Sequence, residues 1–370
     1  MEKENLVYSK ELEAIKKSGR FRERKIFDVR LSDFASNDYL GLSEHKKNFK
    51  KAVKMVQEYT VLSSKASMLV NGYHPIHRIF EKTIAEYNDF EEGLVVGSGF
   101  LANLSLVEAL VRKGDMLFMD EVYHASGVMA SGLLGDRVVF FTHNDSEDLR
   151  KKLEEYPANR QIIAIEGIYS MSGEMCKREI FDVADASEAI LIVDEAHSAG
   201  VVGKKLLGVF DYYGIKINER HIKMGTLGKA YGSYGAYILA SSHLISFLAN
   251  RAKPVIYSTA PSVFDTALAL TNIEHIQSNI TKYKKKIKKR QSLIKEELGY
   301  KVDALIVPIG MPDNAHALFV QKGVMEQGYL VGAIRQPTVE KPILRVILNI
   351  NEPLQKLRHL LALISLNKVQ

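Results

Sequence analysis

The feature that most constrains this chain is a series of short apolar runs set apart by helical stretches. Leu94-Val95-Val96, Met116-Leu117-Phe118-Met119-Asp120, Val138-Val139-Phe140-Phe141, Ile162-Ile163-Ala164-Ile165 and Ala189-Ile190-Leu191-Ile192-Val193 each read as a buried strand. Strands separated by helices make a mostly parallel sheet with crossovers, the α/β class. In open sheets of this kind ligands bind outside the carboxyl ends of the strands. The residues just after each run are therefore the first place to look for chemistry.

The fifth run delivers Asp194-Glu195-Ala196-His197-Ser198-Ala199-Gly200. Further on comes Met224-Gly225-Thr226-Leu227-Gly228-Lys229-Ala230-Tyr231-Gly232-Ser233-Tyr234-Gly235, a lysine among four glycines. Glycine lets backbone pass close to a ligand or adopt positive φ. Alone, the loop reads equally well as a surface loop with an ordinary lysine. Asp194 suits two chemistries. A nucleotide hydrolase would use it to hold magnesium, but that also needs G-x-x-x-x-G-K-[ST]. Lys229 is followed by Ala230 and no such loop occurs. The other chemistry is that of pyridoxal phosphate.

On Ser36-Asn37-Asp38-Tyr39-Leu40-Gly41-Leu42, the Asp194 to His197 tetrad and Gly225-Thr226-Leu227-Gly228-Lys229, the chain resembles the α-oxoamine synthases. The likeness runs from about Arg22 to Arg345. These enzymes condense an amino acid with an acyl thioester and lose carbon dioxide. The resemblance implies the type I, aspartate-aminotransferase-like fold of pyridoxal 5'-phosphate transferases. A large domain with a mostly parallel sheet is expected over residues 46–275. An N-terminal helix and arm would occupy 1–45 and a smaller α+β domain 276–370.

The resemblance also assigns residues. Lys229 would carry the cofactor covalently and act as base on the amino acid's α-proton, the role of a Schiff-base lysine. Asp194 would pair with the ring nitrogen, His197 with the phenolic oxygen, and Ser170 would lie near that oxygen. His124 would stack on the ring, where a flat face suits a flat cofactor, and touch substrate. Gly99 and Phe100 amides, with Thr226, would hold the phosphate at a helix start. Ser258 and Thr259 would reach the phosphate of a neighbouring copy, making a homodimer with shared active sites. Asn37 and Arg345 would take the amino acid's carboxylate, a bidentate guanidinium being suited to it. Arg22, Arg335 and Thr338 would face the acyl substrate, with the register among Arg20, Arg22 and Arg24 open. Departures are Ser67-Met68-Leu69, where family members often carry Ser-Arg-Leu, and Gln336-Pro337-Thr338 in place of Pro-Pro-Thr. No role is transferred for the missing arginine, and Glu166 is expected only to support the site. Arg22 with residues 333–335 and 337–339 favours L-alanine and pimeloyl-CoA, or a pimeloyl carrier protein, as substrates. Glycine with acetyl-CoA, aminolevulinate formation and serine-palmitoyl transfer are the alternatives within the family. Outside it stands a catalytically silent binding subunit, against which every catalytic-type position is filled.

The rest of the chain sets bounds. Its 370 residues, 46% hydrophobic and 25% charged, are enough for two domains with ample core. A net charge of +6 suits anionic substrates such as acyl thioesters and does not call for nucleic acid. The basic run 282–290, seven Lys/Arg in nine residues on a helical pattern, reads mainly as a solvated face. One cysteine, Cys176, excludes a disulfide framework. His74 and His77 do not read as a metal site; His77 instead opens or packs the next helix. Residues 1–4 are charged and no stretch approaches a membrane span, so a cytoplasmic protein without membrane partners is expected.

Overall fold

The computed structural model describes residues 7–369. Of the stretch 1–45 expected as an N-terminal helix and arm, residues 1–6, with the charged start, lie outside the described residues. Two compact units form: one from Asn37–Leu305 with Asn349–Asn351, the other from the residues up to Ser36, Ile306–Leu348 and those from Glu352 onward. In chain order the strands are β1 (Ser32–Phe34), β2 (Glu92–Val96), β3 (Met116–Asp120), β4 (Val138–Phe141), β5 (Gln161–Glu166), β6 (Ile190–Asp194), β7 (His221–Thr226), β8 (Ala236–Ala240), β9 (Ile306–Gly310), β10 (Tyr329–Ile334) and β11 (Ile343–Ile347).

The first unit is built on a seven-stranded sheet in the order β2-β8-β7-β6-β5-β3-β4. β7, β6, β5, β3 and β4 pair in parallel, whereas β8 runs antiparallel to both β7 and β2. Parallel strands covered on both faces read as unbroken apolar runs, as β3, β5 and β6 do, whereas parallel β7, His221-Ile222-Lys223-Met224-Gly225-Thr226, does not. Leu94, Leu106, Met119, Ile162, Ile192, Met224 and Ile238 belong to one buried cluster between the sheet and its helices. The helical pattern expected over 262–298 is two helices, Val263–Gln277 and Ile280–Leu298. Ser262 Oγ caps the first by accepting from Asp265 N–H, and the second ends at Gly299 in the left-handed region, φ 80°. Within the basic run Tyr283, Ile287 and Arg290 are buried, and Arg290 Nε donates to the Asn349 carbonyl at 2.9 Å. Lys282, Lys284, Lys285, Lys288 and Lys289 are exposed, as a solvated face requires. His77 helps open helix Pro75–Tyr87, its Nδ1 accepting from His74 N–H.

The second unit holds a four-stranded sheet in the order β1-β10-β11-β9. β10, β11 and β9 are antiparallel neighbours and β1 joins the edge in parallel with β10. Helix Ser9–Lys17 breaks at Ser18 and Gly19, which has φ 66°, and the basic arm follows without regular structure. The units divide the chain after Ser36 and Leu305, whereas divisions at 45 and 275 were expected. Two particulars account for the difference. β1 pairs the end of the arm with β10, and Arg290 ties helix Ile280–Leu298 to Asn349 inside the first unit. Among the described residues no helix is long and apolar enough to cross a membrane.

Candidate active site

β6 ends at Asp194, and the tight turn after it places His197 back over the strand ends. Asp194 is 4% exposed; its Oδ1 accepts from Ala196 N–H at 2.9 Å and its Oδ2 from Asn103 Nδ2 at 3.0 Å. The neighbouring strand β7 leads into the lysine loop. Thr226 Oγ1 donates to the Gly235 carbonyl at 3.1 Å and accepts from Gly228 N–H at 3.3 Å, closing the loop on itself. Gly225 allows that closure: a Cβ there would lie 2.4 Å from the Tyr237 ring. Lys229 Nζ then reaches His197 Nε2 at 2.6 Å, and His197 Nδ1 is bonded to the Tyr39 hydroxyl at 2.5 Å. The lysine is placed, not merely solvated.

β3 and β5 supply the other walls. His124 follows β3, and its Nδ1 meets Ser126 Oγ at 2.8 Å. Burial lowers the pKa of His124, the nearby Asp194 charge opposes this, and Lys229 lowers it further. The result favours a neutral ring, which suits stacking. At the end of β5, Glu166 stands in register with Asp194 on β6. Its Oε2 accepts from Ser170 N–H at 3.2 Å, while Oε1 is buried with no hydrogen-bond partner among the described residues. Burial pushes the Glu166 carboxyl well above the usual range, and the charge of Asp194 pushes it the same way. The charge of Lys229 opposes both.

At the end of β2, helix Gly99–Leu110 begins with Ser98 Oγ accepting from Leu101 N–H. The amides of Gly99 and Phe100, in the first turn, have no intrahelical acceptor by helix geometry. A Cβ on Gly99 would lie 4.0 Å from Thr226 Cβ, so the free amides and the threonine hydroxyl come from neighbouring backbone. Such a helix start is suited to an anion. These residues fit a phosphorylated pyridine aldehyde at both ends. Lys229 and its histidine partner suit the aldehyde, Asp194 and His124 the ring, and Gly99, Phe100 and Thr226 the phosphate. The orphaned Glu166 Oε1 marks the same region as one where a polar partner is wanted.

The structure thus brings Lys229, His197 and Asp194 together, with His124 and Glu166 within electrostatic reach and Gly99 beside Thr226. In the other unit, Arg22 Nη2 lies 3.5 Å from Thr338 Oγ1, and Arg335 Nη1 donates to the Gly19 carbonyl at 2.7 Å. Arg20, Arg22, Ala333, Arg335 and Thr338 line one cleft of about 480 Å³. Arg345 is buried within β11, opposite Gly332 and Pro308. Asn37 Oδ1 lies 3.5 Å from the Tyr39 hydroxyl, and Asp38 accepts from Leu42 N–H and Ser43 N–H, a turn-holding role. Ser258 and Thr259 lie on a segment held elsewhere: Ala260 N–H donates to the Ala66 carbonyl at 3.0 Å, and His77 Nε2 meets the Pro261 carbonyl at 2.9 Å. None of the hydrogen bonds found for the described residues joins that pair to Lys229. Tyr39 and Asn103 were not singled out from sequence. Tyr39 lay inside a recognised motif, but only the fold puts its hydroxyl on His197.

A family model described as aminotransferase class I and II matches residues 30–364. The 8-amino-7-oxononanoate synthase of Helicobacter pylori strain J99 is 44% identical over 367 residues, covering 98% of each chain. A putative 8-amino-7-oxononanoate synthase of Aquifex aeolicus is 36% identical over 341 residues, 90% of each. Among solved structures, the 8-amino-7-oxononanoate synthase of Francisella tularensis superposes with a TM-score of 0.75 at 25% identity, covering 91% of this chain and 98% of that one. The Sphingomonas wittichii serine palmitoyltransferase has a TM-score of 0.86 at 24% identity, with 98% of each chain covered. That last likeness concerns the fold.

Proposed function

This chain belongs to the aminotransferase class I and II family, and we propose that it joins L-alanine to a pimeloyl thioester with loss of carbon dioxide, giving 8-amino-7-oxononanoate for biotin synthesis. The observation that carries the chemistry is the 2.6 Å contact of Lys229 Nζ with His197 Nε2, three residues past Asp194. The substrate assignment is supported by relatives of that name at 44% identity along nearly the whole chain.

Bound here, pyridoxal 5'-phosphate supplies a ring that accepts the electron pair left when the amino acid loses its α-proton. Lys229 Nζ would hold the cofactor and would take the amino acid's α-proton. Asp194 Oδ keeps a proton on the ring nitrogen. His197 Nε2 and Ser170 would serve the phenolic oxygen, and His124 would cover the ring face. Amides of Gly99 and Phe100 and the Thr226 hydroxyl hold the phosphate. In a homodimer, Ser258 and Thr259 serve the phosphate of the neighbouring copy, so the active sites are shared. Asn37 and Arg345 bind the amino-acid carboxylate; Arg22, Arg335 and Thr338 receive the acyl group. A carbon–carbon bond would form between the α-carbon and the acyl carbonyl carbon as the carbon–sulfur bond breaks, the thiolate would leave and be protonated, and after the carboxylate departs as carbon dioxide the α-carbon would take up a proton. A net charge of +6 suits either an anionic CoA ester or an acidic carrier protein as donor. The proposed compartment is the cytoplasm, where a lone buried thiol such as Cys176 stays reduced.

The test is Lys229→Ala. Borohydride reduction of the loaded wild type should fix the cofactor on the peptide containing Lys229. The variant should show no covalent attachment and lose turnover by roughly 10²-fold or more. Near-normal turnover by Lys229→Ala would overturn the assignment.

A further inference from the structure

Asn103 lies in the interior of helix Gly99–Leu110, 1% exposed, a position where asparagine is a poor helix former. Its side chain is fully engaged in polar contacts. Oδ1 accepts from the Tyr123 hydroxyl at 2.8 Å; Nδ2 donates to Asp194 Oδ2 at 3.0 Å and to Ser126 Oγ at 2.9 Å. This pattern fixes the amide's orientation, because the Asp194 carboxylate requires a donor and the tyrosine an acceptor. Ser126 Oγ, having accepted from Asn103, turns its proton to His124 Nδ1 at 2.8 Å. One amide therefore ties the strand-end aspartate to the residue that follows β3.

We propose that Asn103 is a positioning residue that holds the Asp194 carboxylate against the cofactor's ring nitrogen. Among the described residues, Asp194 Oδ1 is held only by the local Ala196 amide, within its own turn. The bond from Asn103 reaches Oδ2 from a different element and sets the plane of the carboxylate. A buried acceptor deprived of that donor would turn toward another partner, and the ring nitrogen would lose its aligned acceptor. Tyr123, His124, Glu166 and Tyr237 all feel the charge of Asp194, and among the described residues none of these four hydrogen-bonds Oδ2. The inference rests on Asp194 serving the ring nitrogen.

The experiment is a pH titration of the visible absorbance of the cofactor-loaded protein, with cofactor dissociation measured alongside. Asp194→Asn, Asn103→Leu and the double variant are compared with the wild type. Asn103→Leu should move the titration midpoint in the same direction as Asp194→Asn, by on the order of half a unit to one unit. The double variant should match Asp194→Asn alone, because the two act through one group. If Asn103→Leu does not fold, Asn103→Ala removes the same donor without adding volume or charge and is read the same way. A midpoint that moves for Asp194→Asn but not for the Asn103 variant, or shifts that simply add, overturns the inference. If Asp194→Asn itself leaves the midpoint unmoved, the assignment of Asp194 to the ring nitrogen falls first.

Discussion

His143 sits between two carboxylates, its Nδ1 3.0 Å from Asp120 Oδ1 and its Nε2 3.2 Å from Glu174 Oε2. Burial works against charging the ring, but the hydrogen bond and charge of Asp120, joined by Glu174, outweigh it and raise the pKa of His143. Burial likewise works against the Asp120 carboxylate. Bonds from His143, Tyr169 and the amides of Asn144 and Val122 more than reverse that and lower its pKa. The histidine's contribution to stability is complete below its unfolded pKa of about 6.5 and is lost as pH rises through the higher folded value. The aspartate's is complete above about 3.9 and is lost as pH falls through the lower folded value. Both act between about pH 4 and 6.5. His143→Asn keeps a hydrogen-bonding side chain but no titration, so its deficit against wild type in urea denaturation should be greatest in that window and shrink above neutrality. A deficit constant from pH 5 to 9 would contradict this. Neither His143 nor Asn103 was legible in the sequence. Each gets its role from residues far away in the chain, as Asn103 does from Asp194, and no local pattern marks such pairs. Lys229 and Asp194 were legible because glycine spacing and an apolar run mark their surroundings directly.

Among elements, the turn after β6 shows how a motif can mix two roles. Asp194 and His197 face the site, whereas Glu195 is wholly buried and structural. Its carboxylate accepts from Val209 N–H at 2.8 Å and from Phe210 N–H at 3.4 Å, at the start of helix Val209–Tyr213. Lys223 on β7 is its counter-charge at 3.7 Å and also donates to Asn88 Oδ1 at 2.7 Å. Burial lowers the pKa of Lys223 while Glu195 opposes the shift. Lys223→Met would leave Glu195 buried without its cation. Removing one partner of a buried pair costs about 3–5 kcal/mol, and denaturation should read a loss of that order with the cofactor absorbance unchanged. A loss below about 1 kcal/mol would show the amides alone suffice for Glu195. Strand positions were the most legible elements: β3 and β4 were read at their observed bounds. The break at Ser278-Asn279 was not, because neither residue is a strong helix stop and the apolar pattern continues past it.

For the whole molecule, the family and fold were legible because the motifs lie at strand ends that only one sheet order brings together. The unit boundaries were not, because they depend on β1 joining β10 from nearly 300 residues away in the chain. The central claim concerns substrates, which the shared cofactor residues do not decide. The most direct measurement is thiol release by the cofactor-loaded protein from pimeloyl-CoA and acetyl-CoA, each with L-alanine and with glycine. The expected result is rapid release from pimeloyl-CoA with L-alanine and formation of 8-amino-7-oxononanoate. Preference for glycine with acetyl-CoA would contradict it, leaving the fold and the lysine chemistry in place but assigning the enzyme a different reaction.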